Sequence, residues 1–210
     1  MTRDYDGQQR RAASEATRQR ILERARELVI ERGYRGATLA ELARRADVHV
    51  DTVYELVGRK PVILRELVER AISGTYRPLD PFERDYVQQM RAEPDAGAKL
   101  DLYAAAMRQI MARLAPLFVA LRDAASTDPA AAEVWHTISE RRATNMKMLA
   151  ADLIATGQVR PGLETDEVAD TVWATNSPEL HQLLTVDRGW SAERYEQWLA
   201  DTWRRLLLAP

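Results

Sequence analysis

The stretch from Thr38 to Lys60, TLAELARRADVHVDTVYELVGRK, constrains the fold more than any other part of the 210-residue chain. It holds two apolar-striped segments, each shorter than the roughly 12–15 residues at which an isolated helix becomes stable in water. No alternating strand pattern competes with them. Leu39, Leu42, Ala43 and Ala46 share one face of the first segment, and Val53 and Leu56 share one face of the second. Such a pair persists only when wedged between neighbours. A short helix supported from behind and open in front is a shape that the major groove of DNA accepts.

The neighbours lie on either side in the sequence. Ile21, Leu22, Ala25, Leu28 and Val29 recur at the helical period, with Gly33 as a C-terminal stop. Thr38-x-x-Glu41 reads as a capping box that opens a helix over about 38–46. The small Ala43 allows a close crossing, Val48 plugs the turn, and a third helix covers about 50–56, leaving Val50, Asp51, Thr52, Tyr54 and Glu55 facing outward. Pro61 stands in the first turn of a fourth helix, whose apolar positions run from Val62 to Ala71 and end at Gly74. Further helices are predicted over about 81–92, 95–114 and 116–126, the last two divided at Pro116. Asp128-Pro129 opens a long one that ends at Gly157; another, over about 165–186, is expected to kink at Pro178; the last starts from a Ser191 cap. The fold class is all-α, with a helix-turn-helix domain at 1–60, of which 1–14 form a flexible arm, and a second helical domain at 61–210.

Composition narrows the function. Residues 1–74 carry 15 basic and 12 acidic side chains, while the rest carry 15 and 20, so a polyanion would meet the N-terminal third. The absence of cysteine removes disulfides, thiolate metal sites and cysteine nucleophiles. His49, His136 and His181 show no metal-binding spacing, and the chain has neither G-x-S-x-G nor a glycine-rich phosphate loop. No catalytic residue, metal or cofactor is expected. No apolar run reaches the roughly 20 residues of a membrane span, and the N-terminus lacks an apolar segment, which points to the cytoplasm.

From Thr17 to about Leu67 the chain resembles the TetR/AcrR family of bacterial transcriptional regulators. The resemblance is carried by Gly33-Tyr34 after the first helix, by Thr38-x-x-Glu41-Leu42-Ala43, by Thr52-Val53-Tyr54 and by Lys60 just before the fourth helix. It implies a homodimer whose N-terminal domains read a palindromic operator in double-stranded DNA. It also implies a C-terminal domain that binds a small effector and dimerises, commonly in a repressor released by that effector. By resemblance Thr38, Tyr54 and Lys60 meet phosphates, and His49, Val50, Asp51 and Thr52 at the start of the third helix meet bases. An arm containing Arg10, Arg11 and Arg18 would enter the neighbouring minor groove. Glu55 is expected to point away from DNA or to pair with Arg44 or Arg45. Three departures stand out: Asp47 replaces a turn glycine, His49 replaces a capping serine, and Leu56-Val57-Gly58-Arg59 replaces an aromatic-rich stretch. Aspartate tolerates left-handed geometry, so the turn is expected to survive. The alternatives are a helical interaction dimer with a degenerate head, or an enzyme.

In the second domain Tyr86, Met90, Tyr103, Met107, Met111, Phe118, Trp135 and Met146 provide aromatic and thioether surface for a pocket, although the same stripe suits a plain core. Asn145 and Asn176 are the polar groups that could orient a ligand; otherwise they are solvent-facing or capping amides. This set predicts an uncharged, largely apolar effector. Two more stripes, Val172, Trp173, Leu180, Leu183 and Leu184, and Trp198, Leu199, Trp203 and Leu206, suggest a dimer interface, with part of each covering its own core.

Overall fold

The helical period of the sequence is realised along the computed structural model, which describes residues 2–75 and 81–210. The helices are α1 (Thr2–Gly36), α2 (Leu39–Ala46), α3 (Val50–Leu56), α4 (Lys60–Ser73), α5 (Asp85–Ala92), α6 (Ala96–Ala125), α7 (Pro129–Ala155), α8 (Thr165–Thr175), α9 (Pro178–Gln182) and α10 (Ala192–Leu207). A short 3-10 turn, Pro81–Glu83, precedes α5, and a π-helical turn, Leu183–Asp187, follows α9. Among the described residues the one β pairing is an isolated bridge between Val159 and Leu208.

The chain divides into two compact units. One takes residues through Glu69 together with Ala120–Val134; the other takes Arg70–Val119 and Trp135–Pro210. The sequence boundary at 60/61 falls inside the first unit, at the start of α4.

In the first unit Ile21, Leu22, Ala25 and Leu28 of α1 are buried with Leu42, Ala43 and Ala46 of α2, Val53 of α3, and Ile63, Leu64 and Leu67 of α4. The backbone leaves helical geometry at Gly33, where φ is 67°, as the stop signal there predicts. Residues 2–14, expected as a flexible arm, instead continue α1; Met1 lies outside the described residues. Nothing in 2–14 breaks a helix: the segment has no proline, and its glycine, Gly7, costs only about 1 kcal/mol against alanine.

In the second unit Leu100, Ala104, Leu114, Leu117 and Leu153 are buried with Tyr195, Leu199 and Trp203 of α10. Two proline readings change here. The break expected at Pro116 does not occur, and α6 runs through it. Leu114, Ala115, Leu117 and Phe118 beside that proline are all buried. Their packing outweighs the roughly 3 kcal/mol cost of an internal proline. At Pro178 the helix does not kink but ends and restarts. Ser177 caps α9 by accepting from the Leu180 amide at 3.1 Å, with Pro178 at the first helical position. By length and composition α6 could cross a bilayer; half of its most apolar window, of mean hydropathy 1.3, is buried inside the structure.

Candidate nucleic-acid interface and internal cavity

The presentation of α3 begins with the turn before it. Thr38 caps α2 by accepting from the Glu41 amide at 3.2 Å. The reciprocal half of the capping box is missing, because the Thr38 amide goes to Gly36 O and the Glu41 carboxylate is taken by arginines. Asp47 then adopts φ 52° and ψ 55°, the left-handed geometry that aspartate was expected to accept, and Val48, half-buried, returns its amide to Ala43 O at 3.0 Å. His49 caps α3 without a side-chain hydrogen bond. Along α3, Val53 is wholly buried and Leu56 only half-buried; Val57, just beyond, is the second deep anchor. Gly58, at φ 88°, makes the turn into α4.

Two α1 arginines hold these short helices from behind. Arg18 Nε donates to Leu56 O at 3.1 Å and its Nη2 pairs with Glu66 at 2.6 Å, while Arg20 Nε donates to Ala46 O at 2.9 Å. Each guanidinium therefore meets a carbonyl at the C-terminal end of a short helix, where acceptors and the negative pole of the dipole are exposed. This corrects the placement of Arg18 in a DNA-reaching arm: it lies within α1 and is committed to its own unit. Arg10 and Arg11 lie in the same helix.

The outward face of α3 carries Val50, Asp51, Tyr54 and Glu55, all exposed, with Thr52 half-buried; Thr38 and His49 are exposed beside it. Tyr54 keeps 47% of its surface. Glu55 does not pair with Arg44 or Arg45. Glu41 sits nearer and takes Arg44 at 2.7 Å and Arg45 at 3.1 Å, and Arg45 also reaches Glu31 at 2.7 Å. The Arg44 and Arg45 hydrogen bonds hold the Glu41 carboxyl down to about 2. Lys60 is likewise engaged: its ammonium donates to Tyr34 O at 2.5 Å and lies 4.2 Å from the centroid of the Tyr34 ring. Burial lowers its pKa. The Tyr34 hydroxyl donates in turn to Asp128 at 2.7 Å, and Asp128 also accepts from the Ala130 and Ala131 amides at the start of α7.

The second unit holds an open-sided cavity of about 400 Å³. Eight of the ten expected residues line it: Tyr86, Met90, Tyr103, Met107, Met111, Asn145, Met146 and Asn176. Phe118 and Trp135 do not; Phe118 belongs to the packed core, and Trp135 stands edge-on to His136 at 4.8 Å. Asn176 is neither solvent-facing nor a mere cap. Its side chain is buried, Nδ2 donates to the Tyr103 hydroxyl at 2.9 Å, and Oδ1 has no donor among the described residues. The Tyr103 ring stacks on Trp203 at 5.3 Å, and the indole N–H of Trp203 donates to Thr175 at 2.7 Å. Burial pushes the Tyr103 phenol far above its ordinary value, so it stays neutral.

Sequence reasoning missed the charged part of this wall, Arg84, Arg91, Arg141, Arg142 and Asp152. Arginines on helix stripes read as solvated positions, and no local signal marks those that a neighbouring helix covers.

Burial sorts the two C-terminal stripes. Val172, Leu199 and Trp203 are buried within their own unit, their helix faces turned inward onto the core. Trp173, Leu183 and Leu206 are exposed together with Val186, while Leu180, Leu184 and Trp198 are half-buried.

Residues 21–56 match the family model of bacterial regulatory proteins, tetR family, the stretch that holds α2, α3 and most of their support. No curated protein matches the chain. Three solved structures share the whole fold. A transcriptional regulator from Saccharomonospora viridis, in complex with choline, is 22% identical over 94% of this chain and 100% of its own, with TM-score 0.70. The regulator FadR from Bacillus subtilis, in complex with stearoyl-CoA, is 17% identical over 88% and 96%, TM-score 0.70. The MbdR regulator from Azoarcus sp. CIB is 21% identical over 92% and 100%, TM-score 0.68.

Proposed function

We propose that this chain is a DNA-binding transcriptional regulator that lays α3 in the major groove and acts as a homodimer on a palindromic operator. The observation that carries the reading is α3 itself. Its inner face is pinned by Val53 and its end by Arg18, while Val50, Asp51 and Tyr54 stay open to solvent. Thr38 and Tyr54 are the phosphate contacts, with Lys60 offering the two ammonium protons that Tyr34 O leaves unused. His49, Val50, Asp51 and Thr52 meet the bases. Two copies associate through Trp173, Leu183, Val186 and Leu206, an apolar set that a lone chain leaves in water. The cavity holds an effector whose entry releases the operator, which makes the protein a repressor; its volume lies within the usual range for small-molecule sites, about 300–1,000 Å³. That structural neighbours were solved with choline and with stearoyl-CoA supports the cavity as a ligand site.

The test is fluorescence anisotropy with duplex DNA from the region around its own gene, over a salt series, alongside sedimentation of the free protein. Expected are a dimer at micromolar concentration, a steep linear fall of log K with log salt, and loss of sequence preference in Thr52→Ala. A monomeric protein, or binding without sequence preference, overturns the proposal. Leu183→Glu with Leu206→Glu is expected to give a folded monomer with weakened operator binding.

A further inference from the structure

Arg84, Arg91, Arg141 and Arg142 line the cavity beside one carboxylate, Asp152. That carboxylate is already used. Lys99, 3% exposed, donates to Asp152 at 2.7 Å and to Met90 O at 2.6 Å, so the two form an internal neutral pair. Arg142 is the opposite case. Its Nη2 donates to Trp173 O at 2.7 Å and to Asn176 O at 2.8 Å, and its guanidinium lies 5.1 Å from the centroid of the Trp173 ring. Those partners are the carbonyl end of α8 and an aromatic face, and neither carries a full negative charge. Its Nε is buried with no acceptor among the described residues, and the Glu179 carboxylate acts on the guanidinium through space. Arg84 Nε is also buried with no acceptor among them. A guanidinium whose Nε is shut off from any acceptor is costly, and desolvation lowers the Arg142 pKa against the raising influence of Tyr103 and Glu179. Opposite these charges the wall is soft and apolar, with Met90, Met107, Met111, Met146, Ile110 and Leu149.

We infer that the cavity takes an apolar or aromatic molecule ending in a carboxylate, the carboxylate seated at Arg142 with Arg84 as the second cation. This rests on the effector reading above and replaces the uncharged ligand that the Met and aromatic stripe alone suggests. Both Nη2 hydrogens of Arg142 are taken by carbonyls, so a donor left for a carboxylate is the buried Nε, where a charge-assisted hydrogen bond gains strength by being shielded from water. The Asn176 Oδ1 is an acceptor without a donor among the described residues, on the residue whose carbonyl Arg142 holds, so a ligand hydroxyl or amide N–H next to the carboxylate would satisfy it.

The experiment is isothermal titration of the full-length protein with three matched probes: 4-phenylbutyrate, 4-phenylbutanamide and 4-phenylbutylammonium. The acid is expected to bind at least tenfold more tightly than the amide, and the ammonium least. Arg142→Met should erase most of that preference while leaving amide affinity within about threefold. Because Arg142 also holds the end of α8, Arg84→Met serves as a second variant, expected to cut the acid's advantage severalfold, and circular dichroism checks that both variants are folded. Equal binding of acid and amide, a preference for the ammonium, an acid preference untouched in both variants, or no binding by any probe at millimolar concentration overturns the inference. Operator binding is read separately. Selective acid binding that leaves operator affinity unchanged keeps the ligand class and sinks the effector role. Release of the operator by an uncharged or cationic ligand keeps the effector role and sinks the ligand class.

Discussion

Removing one oxygen from Tyr34 tests how the head is fastened. The Tyr34 ring is 8% exposed; its hydroxyl donates to Asp128 Oδ2 at 2.7 Å, while Asp128 Oδ1 accepts from Ala130 N at 3.0 Å and Ala131 N at 3.2 Å. Tyr34→Phe keeps the ring, and with it the Lys60 contact at 4.2 Å, and deletes a single hydrogen bond to a charged acceptor. Such bonds contribute about 1.5–3 kcal/mol. Asp128 is half-buried and water can take the vacated place, so the lower end applies, about 1.5 kcal/mol. For a chain of this size that lowers Tm by about 3–6 °C. Asp128→Asn retains a capping side chain for α7 but loses the charge, and the double variant should show a coupling of about 1 kcal/mol in calorimetry. The pH dependence has a definite sign. The Tyr34 hydrogen bond is the main cause holding Asp128 below its ordinary 3.8, followed by the Ala131 amide. That contribution is complete above the unfolded value and is lost as pH falls through the lower folded one. Burial, then Asp128, raises the Tyr34 phenol above its ordinary 10.0, so its contribution is complete below pH 10 and is lost as pH rises. The difference between wild type and Tyr34→Phe should therefore be flat from about pH 4 to 10 and shrink outside that window. A change under about 0.3 kcal/mol at pH 7, or simple additivity with Asp128→Asn, refutes the reasoning.

Neighbouring residues of α3 should behave in opposite ways. Val53→Ala opens a hole at a fully buried site and is expected to cost about 2–3 kcal/mol in denaturant unfolding, whereas Tyr54→Phe should leave stability within about 0.5 kcal/mol and weaken operator binding roughly tenfold. Lys60→Met keeps the aliphatic stem but loses the Tyr34 carbonyl bond and the ring contact, at a cost of about 1–1.5 kcal/mol; if the remaining donors meet a phosphate, the salt slope of DNA binding should also fall by about one.

The parts of the head that could be read from sequence are those set by local chemistry. Thr38 as a cap, Gly33 as a stop and Asp47 in the left-handed region each follow from one side chain acting on its own backbone. The survival of that turn removes one of the departures that favoured a degenerate head. What could not be read acts at a distance. Arg18 and Arg20 lie 38 and 26 residues from the carbonyls they hold, and nothing nearby in sequence marks them. The half-formed capping box has the same origin, since Glu41 prefers arginine partners, one of them drawn into place by Glu31 of α1. Pro116 shows tertiary burial overruling a strong local signal.

The cavity shows how far residue type alone reaches. Apolar spacing locates a wall because methionines and tyrosines at helical intervals must be covered by something, and eight of ten expected residues do face one space. Spacing cannot say which neighbour covers a stripe, which is why Val172, Leu199 and Trp203 turn out to be core while Trp173 and Leu206 stay outside. Nor can it say when a charged residue is covered. Arg141 and Arg142 are adjacent on α7, yet one is exposed and the other is drawn under the end of α8 by two carbonyls. The chemistry of the ligand turns on that difference. A guanidinium open to solvent asks little of an effector, whereas one whose Nε is buried without an acceptor favours a ligand that brings a carboxylate.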